Sequence, residues 1–228
     1  MSADQTASPE AFDVCPWQLN AAGTIHDQEL VRHNRTRLLA PARLGAGAAV
    51  ADLDHSIGMP FDARPIFLSK GEHRTHAYLA INPEGKVPTL LIDGRPLTEV
   101  AAILYYLAKK YPEAKLLPVT GAEEEARAIS WMSFIASTLH PARAQGLDKA
   151  IAIFALADQR LGQRTWALGP YSIVDIHLFR LYWRFATSLK PPKGSLPNLE
   201  RHFDLMMARP AVQKTIEIET RTGYDLPA

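Results

Sequence analysis

The chain has 228 residues, 25 lysines and arginines against 24 acidic residues, and 47% hydrophobic residues. That length suits one large domain or two modest ones, the near-neutral balance gives no reason to expect a nucleic acid or an anionic membrane as partner, and no apolar run approaches the ~20 residues that span a bilayer. Cys15 is the only cysteine, which excludes an internal disulfide and a cysteine-rich zinc site, and the opening residues lack the basic and apolar regions of a secretory signal, so the cytoplasm is the expected location.

Residues 1–35 are polar, carry Pro9, Pro16 and Gly23 without a sustained apolar period, and are expected to form a poorly structured extension. Ile66 to Leu68 reads as a strand. Ala77 to Ile81 is helical in pattern and is broken by Asn82, Pro83 and Gly85. Val87-Pro88 then opens the apolar run Thr89 to Ile92, a place where a strand tolerates proline. Asp93-Gly94 suits a tight hairpin turn returning through Arg95 to Leu97. From Thr98 the apolar residues Val100, Ile103, Leu104, Leu107 and Tyr111 fall on one helical face. Leu116 to Thr120 reads as a linker.

The second half is helical throughout in pattern. Ala126, Ile129, Phe134, Ile135 and Leu139 support a helix over Ala122 to Leu139, with Glu123, Glu124 and Glu125 favourably placed in its first turn. Further helices are expected over Asp148 to Leu161, Leu196 to Ala208 and Ala211 to Thr220. Between them, Ser172 with Asp175 three residues on forms a capping-box variant opening another helix.

The stretch Ala77 to Tyr111, with its Val87-Pro88, hairpin and following helix, strongly resembles the N-terminal thioredoxin-like domain of cytosolic glutathione transferases, of a bacterial, beta- or theta-like kind. The Ser-x-x-Asp opening at Ser172 resembles the helical C-terminal domain of the same family, and the likeness runs over roughly residues 59–219. It implies an α/β thioredoxin-like domain over 36–115 followed by an all-α helical bundle over 122–228, a homodimer in that family's manner, and glutathione as co-substrate without a metal. Counting back from Ile57-Gly58-Met59-Pro60-Phe61 puts the family's first strand on Thr36 to Pro41. An alternative is that a start-site or reading-frame anomaly replaced an ordinary first strand and catalytic turn, which a folded, cooperative first strand at Thr36 to Pro41 would count against.

The resemblance assigns glutathione contacts to Lys86, Val87, Pro88, Glu99 and Val100. Val87-Pro88 would be a cis bond offering the valine backbone to the cysteinyl part, and Glu99 would accept from the α-amino group. Val100 stands where the family usually has serine or threonine, leaving only its N–H. The bland alternative for Glu99 is an acid that merely complements the helix dipole. The loop Lys70 to Arg74 falls where the family meets the glycine end of glutathione.

Conjugation needs the thiolate, whereas a thiol with a pKa of about 8.5 is only a few per cent ionised at neutral pH. The family lowers that pKa with a tyrosine or serine hydroxyl, or uses a cysteine. Here those positions fall on Gly45, Ala46 and Gly47, so the expected catalytic side chain is missing. Phe134 to His140 resembles the beta-class segment whose histidine borders the sulfur, which makes His140 the candidate catalytic residue; its rival role is a helix-terminal histidine capping carbonyls. Ser133 and Ser137 match positions that approach glutathione, and the short Pro141 to Gly146 connection implies a smaller or more open acceptor site. His73, His76 and His177 have no mutual ligand spacing, which argues against a metal site.

Two functions stay open beside each other: a transferase that directs the glutathione thiolate at a small electrophile, and a catalytically silent protein of the same fold that binds glutathione or a partner. A thiol reductase working through Cys15 is a third, weaker reading.

Overall fold

A computed structural model describes residues 37–41, 62–117 and 120–222. The candidate turn Gly45 to Gly47, Cys15 and the extension over 1–35 lie outside the described residues. Four strands, β1 (Arg37–Pro41), β2 (Asp62–Ile66), β3 (Thr89–Ile92) and β4 (Arg95–Leu97), form one sheet in the order β2-β1-β3-β4. β1 runs parallel to β2 and antiparallel to β3, with Leu38 opposite Leu90. The first strand therefore falls where expected and is paired on both sides, which counts against its having been replaced.

β2 differs from the expected Ile66 to Leu68. It ends at Ile66, and Leu68–Lys70 is already a 3-10 turn. The strand contains Pro65, which argues against a central position; at the sheet edge a residue without an N–H is tolerated. The β3–β4 turn is of the kind its sequence demands, with positive φ at both Asp93 (50°) and Gly94 (79°).

Alternation along β3 sends neighbouring side chains to opposite faces. Leu91 packs with Tyr78 and Ile81 of helix α1 (His76–Ile81), while Leu90 joins the main core with Ile103, Leu104 and Leu107 of α2 (Val100–Lys110). That core continues into the helical half: α3 (Ala122–Phe134), α4 (Leu147–Leu161), α5 (Ile173–Leu189), α6 (Pro197–Met207) and α7 (Pro210–Thr222).

The helix expected over Ala122 to Leu139 departs from its pattern in two ways. Its buried face is Ala128, Trp131 and Met132, while Ile129 remains 49% exposed. The bulk of Trp131 and Met132 sets the face, and the smaller Ala126 and Ile129 turn outward. Its last turn, Ile135–Leu139, is a π-helix, after which His140–Ala142 completes one more α turn. Ile135 and Leu139 are both buried in that turn.

α5 is the central helix of the bundle, and Asp175 secures its start. The carboxylate, fully buried, accepts from the backbone N–H groups of Ala167 (2.8 Å) and Ser172 (2.9 Å) and from the Ser172 hydroxyl (3.1 Å), and its Oδ1 lies 3.1 Å from His202 Nε2 on α6. Ser172 in turn accepts from Val174 N–H, completing the capping box. Asp175→Ala leaves two buried N–H groups without acceptors, and the expected loss of stability is about 2–4 kcal/mol, read as a lower urea midpoint at unchanged slope.

Candidate functional site

A cleft of about 520 Å³ opens where the sheet half meets the helical half. One wall is the turn between α1 and β3. Tyr78 Oη donates to the Lys86 carbonyl (2.5 Å) and lies 3.0 Å from Thr89 Oγ1; the Asn82 amide donates to the same carbonyl (2.8 Å) and to Thr89 Oγ1 (3.2 Å). Tyr78, Asn82 and Thr89 are all buried. Within that turn Gly85 has φ +60°, and a Cβ there would approach the His73 carbonyl and an Arg74 nitrogen to 3.0 Å, so only glycine fits. The Val87-Pro88 bond is cis.

The adjoining rim is the start of α2. Glu99 is its N-cap residue, yet its side chain makes no capping hydrogen bond, and its backbone sits at φ 67°, ψ 120°. A non-glycine residue held there is strained by about 1–3 kcal/mol, and such strain clusters at ligand clamps. The carboxylate is thus left exposed to the cleft, where a purely helix-capping acid would have turned to the free N–H groups. Lys86 is bound to Glu84 at 2.8 Å, and that partner, with a smaller effect from Glu99, raises its pKa.

The opposite wall belongs to the helical half. The π-turn delivers Ala136 and His140 to the cleft, while Ser133 and Ser137 stay exposed outside its lining. From α5 come His177, Arg180 and Arg184, one face of the helix at i, i+3 and i+7. His177 is 4% and Arg180 7% exposed, and His177 Nδ1 has no hydrogen-bond partner. Of the residues expected from sequence, Lys86, Val87, Pro88, Glu99, Val100 and His140 all line this one cleft. Arg180 and Arg184 were not among the residues expected from sequence, and His177 was weighed there only as a metal ligand. Their signal was present: three cationic or titratable residues on the inward stripe of an otherwise apolar helix, where polar side chains are rare unless used.

The wall is electropositive. Although part of the residue is open, burial of the His140 ring, then Arg180, Arg184, Arg143 and Lys86, lowers its pKa. Burial, reinforced by Arg180, pushes His177 down to about 3. Both imidazoles are neutral at pH 7. Among the described residues no three His, Cys, Asp or Glu side chains are grouped to hold a metal ion, and no helix is long and apolar enough to cross a membrane.

Known proteins are similar to this chain in sequence and in fold. The family model described as the glutathione S-transferase N-terminal domain matches residues 55–110. Glutathione S-transferase GstA of Escherichia coli O157:H7 is 32% identical over 162 residues, 62% of this chain and 78% of that one. Maleylacetoacetate isomerase of Pseudomonas aeruginosa is 32% identical over 182 residues, 69% of this chain and 84% of that one. Among solved structures, a glutathione transferase of Burkholderia graminis, with two glutathione molecules bound per subunit, superposes with a TM-score of 0.69 at 25% identity, covering 81% of this chain and 88% of that one. The chain belongs to the glutathione S-transferase superfamily.

The buried histidine makes stability depend on pH with a definite sign. Unfolded, His177 takes up a proton near pH 6.5; folded, it does not until about pH 3, so its contribution is full above 6.5 and falls as the pH drops. Between pH 7 and pH 5 this one group is expected to remove about 2 kcal/mol. Urea unfolding at the two pH values checks it, and His177→Gln is expected to flatten the difference.

Proposed function

We propose that this chain is a glutathione transferase, a cytoplasmic homodimer in which residues 36–115 bind glutathione, 122–228 form the helical domain, and 1–35 precede both. The carrying observation is one cleft with Val87-Pro88 and the strained Glu99 on one wall and His140 within a cationic wall opposite. The Val87 backbone pairs with the cysteinyl part of glutathione. Glu99 accepts from the α-amino group, and the N–H groups opening α2, Val100 included, hold the neighbouring carboxylate. Lys86 and Pro88 shape the floor.

His140 stands beside the sulfur as a neutral imidazole. Burial is the larger cause of that neutrality; the charges of Arg180, Arg184 and Arg143 are the smaller one, and those charges also favour a thiolate over a thiol. Catalysis then rests on thiolate attack at a small electrophile, without a hydroxyl or thiol at Gly45 to Gly47. The second reading, a silent glutathione-binding protein, is favoured by those same three residues, and one titration separates the two.

Calorimetric titration of glutathione is expected to show binding, and the bound thiol is expected to ionise well below 8.5 in its ultraviolet thiolate absorbance. Binding with an unshifted thiol would assign the silent role; no binding would remove the glutathione site. Glu99→Gln is expected to weaken binding by about 10- to 100-fold, the worth of a charge-assisted hydrogen bond. Sedimentation at equilibrium is expected to give two chains per particle.

A further inference from the structure

A second groove lies on the helical half, about 340 Å³ in volume and sharing no lining residue with the cleft. Three guanidinium groups reach it from three segments: Arg127 from α3, Arg160 from the last turn of α4, and Arg164 from the connection that follows. Between them the lining is apolar, from Trp131, Ala167 and Leu168.

The parts of this groove are held in place. The guanidinium carbon of Arg160 lies 4.3 Å from the centre of the Trp131 ring and 5.3 Å from that of Phe134, and one of its nitrogens donates to Ser130 Oγ at 2.9 Å. Arg164 donates to the Arg160 carbonyl. The connection carrying Arg164 and Leu168 is tied down by Arg201, which donates to the carbonyls of Gly162 (2.9 Å) and Arg164 (3.3 Å), and by Asp175, which accepts from Ala167 N–H. Side chains already fixed in this way lose less freedom when a ligand arrives.

These contacts leave the charge of two of the three arginines unanswered. Arg127 is held by Glu123 at 2.6 Å, through Nε and one Nη. Arg160 and Arg164 meet a hydroxyl and a carbonyl, and among the described residues neither is paired with a carboxylate. They are near enough to repel: after burial, the charge of Arg164 is what lowers the Arg160 pKa. A guanidinium has five N–H donors, so an anion can be received while each present contact stays in place. The acid that lines the groove, Glu124, is exposed in the first turn of α3, where water weakens its pull.

We propose that this groove binds a small phosphate monoester, its phosphate between Arg160 and Arg164 with Arg127 at the rim, and its carbon part against Trp131 and Leu168. A planar carboxylate presents two oxygens in one plane and is served by one guanidinium fork. The three terminal oxygens of a phosphate monoester can meet guanidinium groups arriving from three directions. The apolar lining favours an ester with an aromatic or aliphatic carbon part over inorganic phosphate. No bond is made or broken at this site, and the ester leaves unchanged.

The test is calorimetric titration of the full chain with phenyl phosphate, benzoate and inorganic phosphate at about pH 8, where the ester is a dianion, the first titration repeated with saturating glutathione. Phenyl phosphate is expected to bind at least about fivefold more tightly than either other anion, with or without glutathione. Arg164→Gln, at an exposed position, is expected to weaken it about fivefold to tenfold, and Arg164→Lys to restore part of the loss. Glu124→Gln removes the acid and is expected to tighten binding about two- to threefold, a gain that a misfolded variant does not give.

Benzoate or inorganic phosphate binding as tightly as the ester overturns the phosphate monoester, as does no binding below about 10 mM. Displacement of the ester by glutathione would place it in the cleft. An affinity that Arg164→Gln leaves unchanged, or that Glu124→Gln lowers, would place it away from these side chains, and either result removes the site. If glutathione itself does not bind, the two variants decide.

Discussion

The main-chain carbonyl of Lys86 accepts two hydrogen bonds from buried side chains, Tyr78 Oη and the Asn82 amide, and the placement of the whole sheet-side wall depends on them. A turn with a proline and a positive-φ glycine has few ways to satisfy its own backbone, and an unpaired carbonyl out of water costs about 1–3 kcal/mol. The donors stand one helical turn apart, on α1 and at its C-cap, and both also reach the buried Thr89 hydroxyl. The helix, the turn and the first residue of β3 therefore move as one piece. Burial raises the Tyr78 pKa, so its hydroxyl stays protonated and remains a donor. This polar knot sits beside the small cluster of Tyr78, Ile81 and Leu91, where apolar contact alone is too limited to fix a loop position.

The helical wall is secured by the same kind of device at larger scale. Asp175 ties the loop at Ala167, the cap at Ser172 and His202 on α6 into one buried network, so α5 begins at a defined place. Asp158 does this for α6, accepting from the N–H groups of Asn198 and Leu199 at 2.8 Å each. Across the seam, Glu125 on α3 accepts from Tyr105 and from Lys109 on α2. Two independently capped bodies thus meet along one line, and the cleft lies beside it. The origins of α5 and α6 are both pinned, and α2 is tied to α3 through Glu125.

Local chemistry made much of this legible in the sequence. The hairpin at Asp93-Gly94, the stop at Asn82 to Gly85 and the Ser172–Asp175 box are each decided within a few residues, and such signals survive folding. The strand at Arg37–Pro41 was traceable only by counting from a resembling segment, because Leu38-Leu39 is too short a period to read alone. Global competition decided the rest. Ile129 lost the inward face to Trp131 and Met132, and the π-turn at Ile135–Leu139 leaves no trace in an i, i+3, i+4 count. His140 was found by likeness, whereas Arg180 and Arg184 were passed over because a charge on a helix is ordinarily read as its solvated face. Here it is the face turned inward.

The electropositive wall has a chemical consequence that limits what it can do for sulfur. If it lowered the thiol pKa from about 8.5 to about 6.5, the thiolate fraction at pH 7 would rise about 25-fold. A less basic thiolate is also a poorer nucleophile: with a Brønsted slope of about 0.45 the same shift costs about eightfold, and the net gain is about threefold. Activation of sulfur alone is therefore a weak reason to bury a guanidinium group, which loses hydration on entering the protein. Orientation is the stronger reason, since holding two reactants in line can contribute several kcal/mol to the barrier. The sheet-side wall is fixed by the contacts to the Lys86 carbonyl and the helical wall by the Asp175 network, so a reactant held between them meets two fixed surfaces.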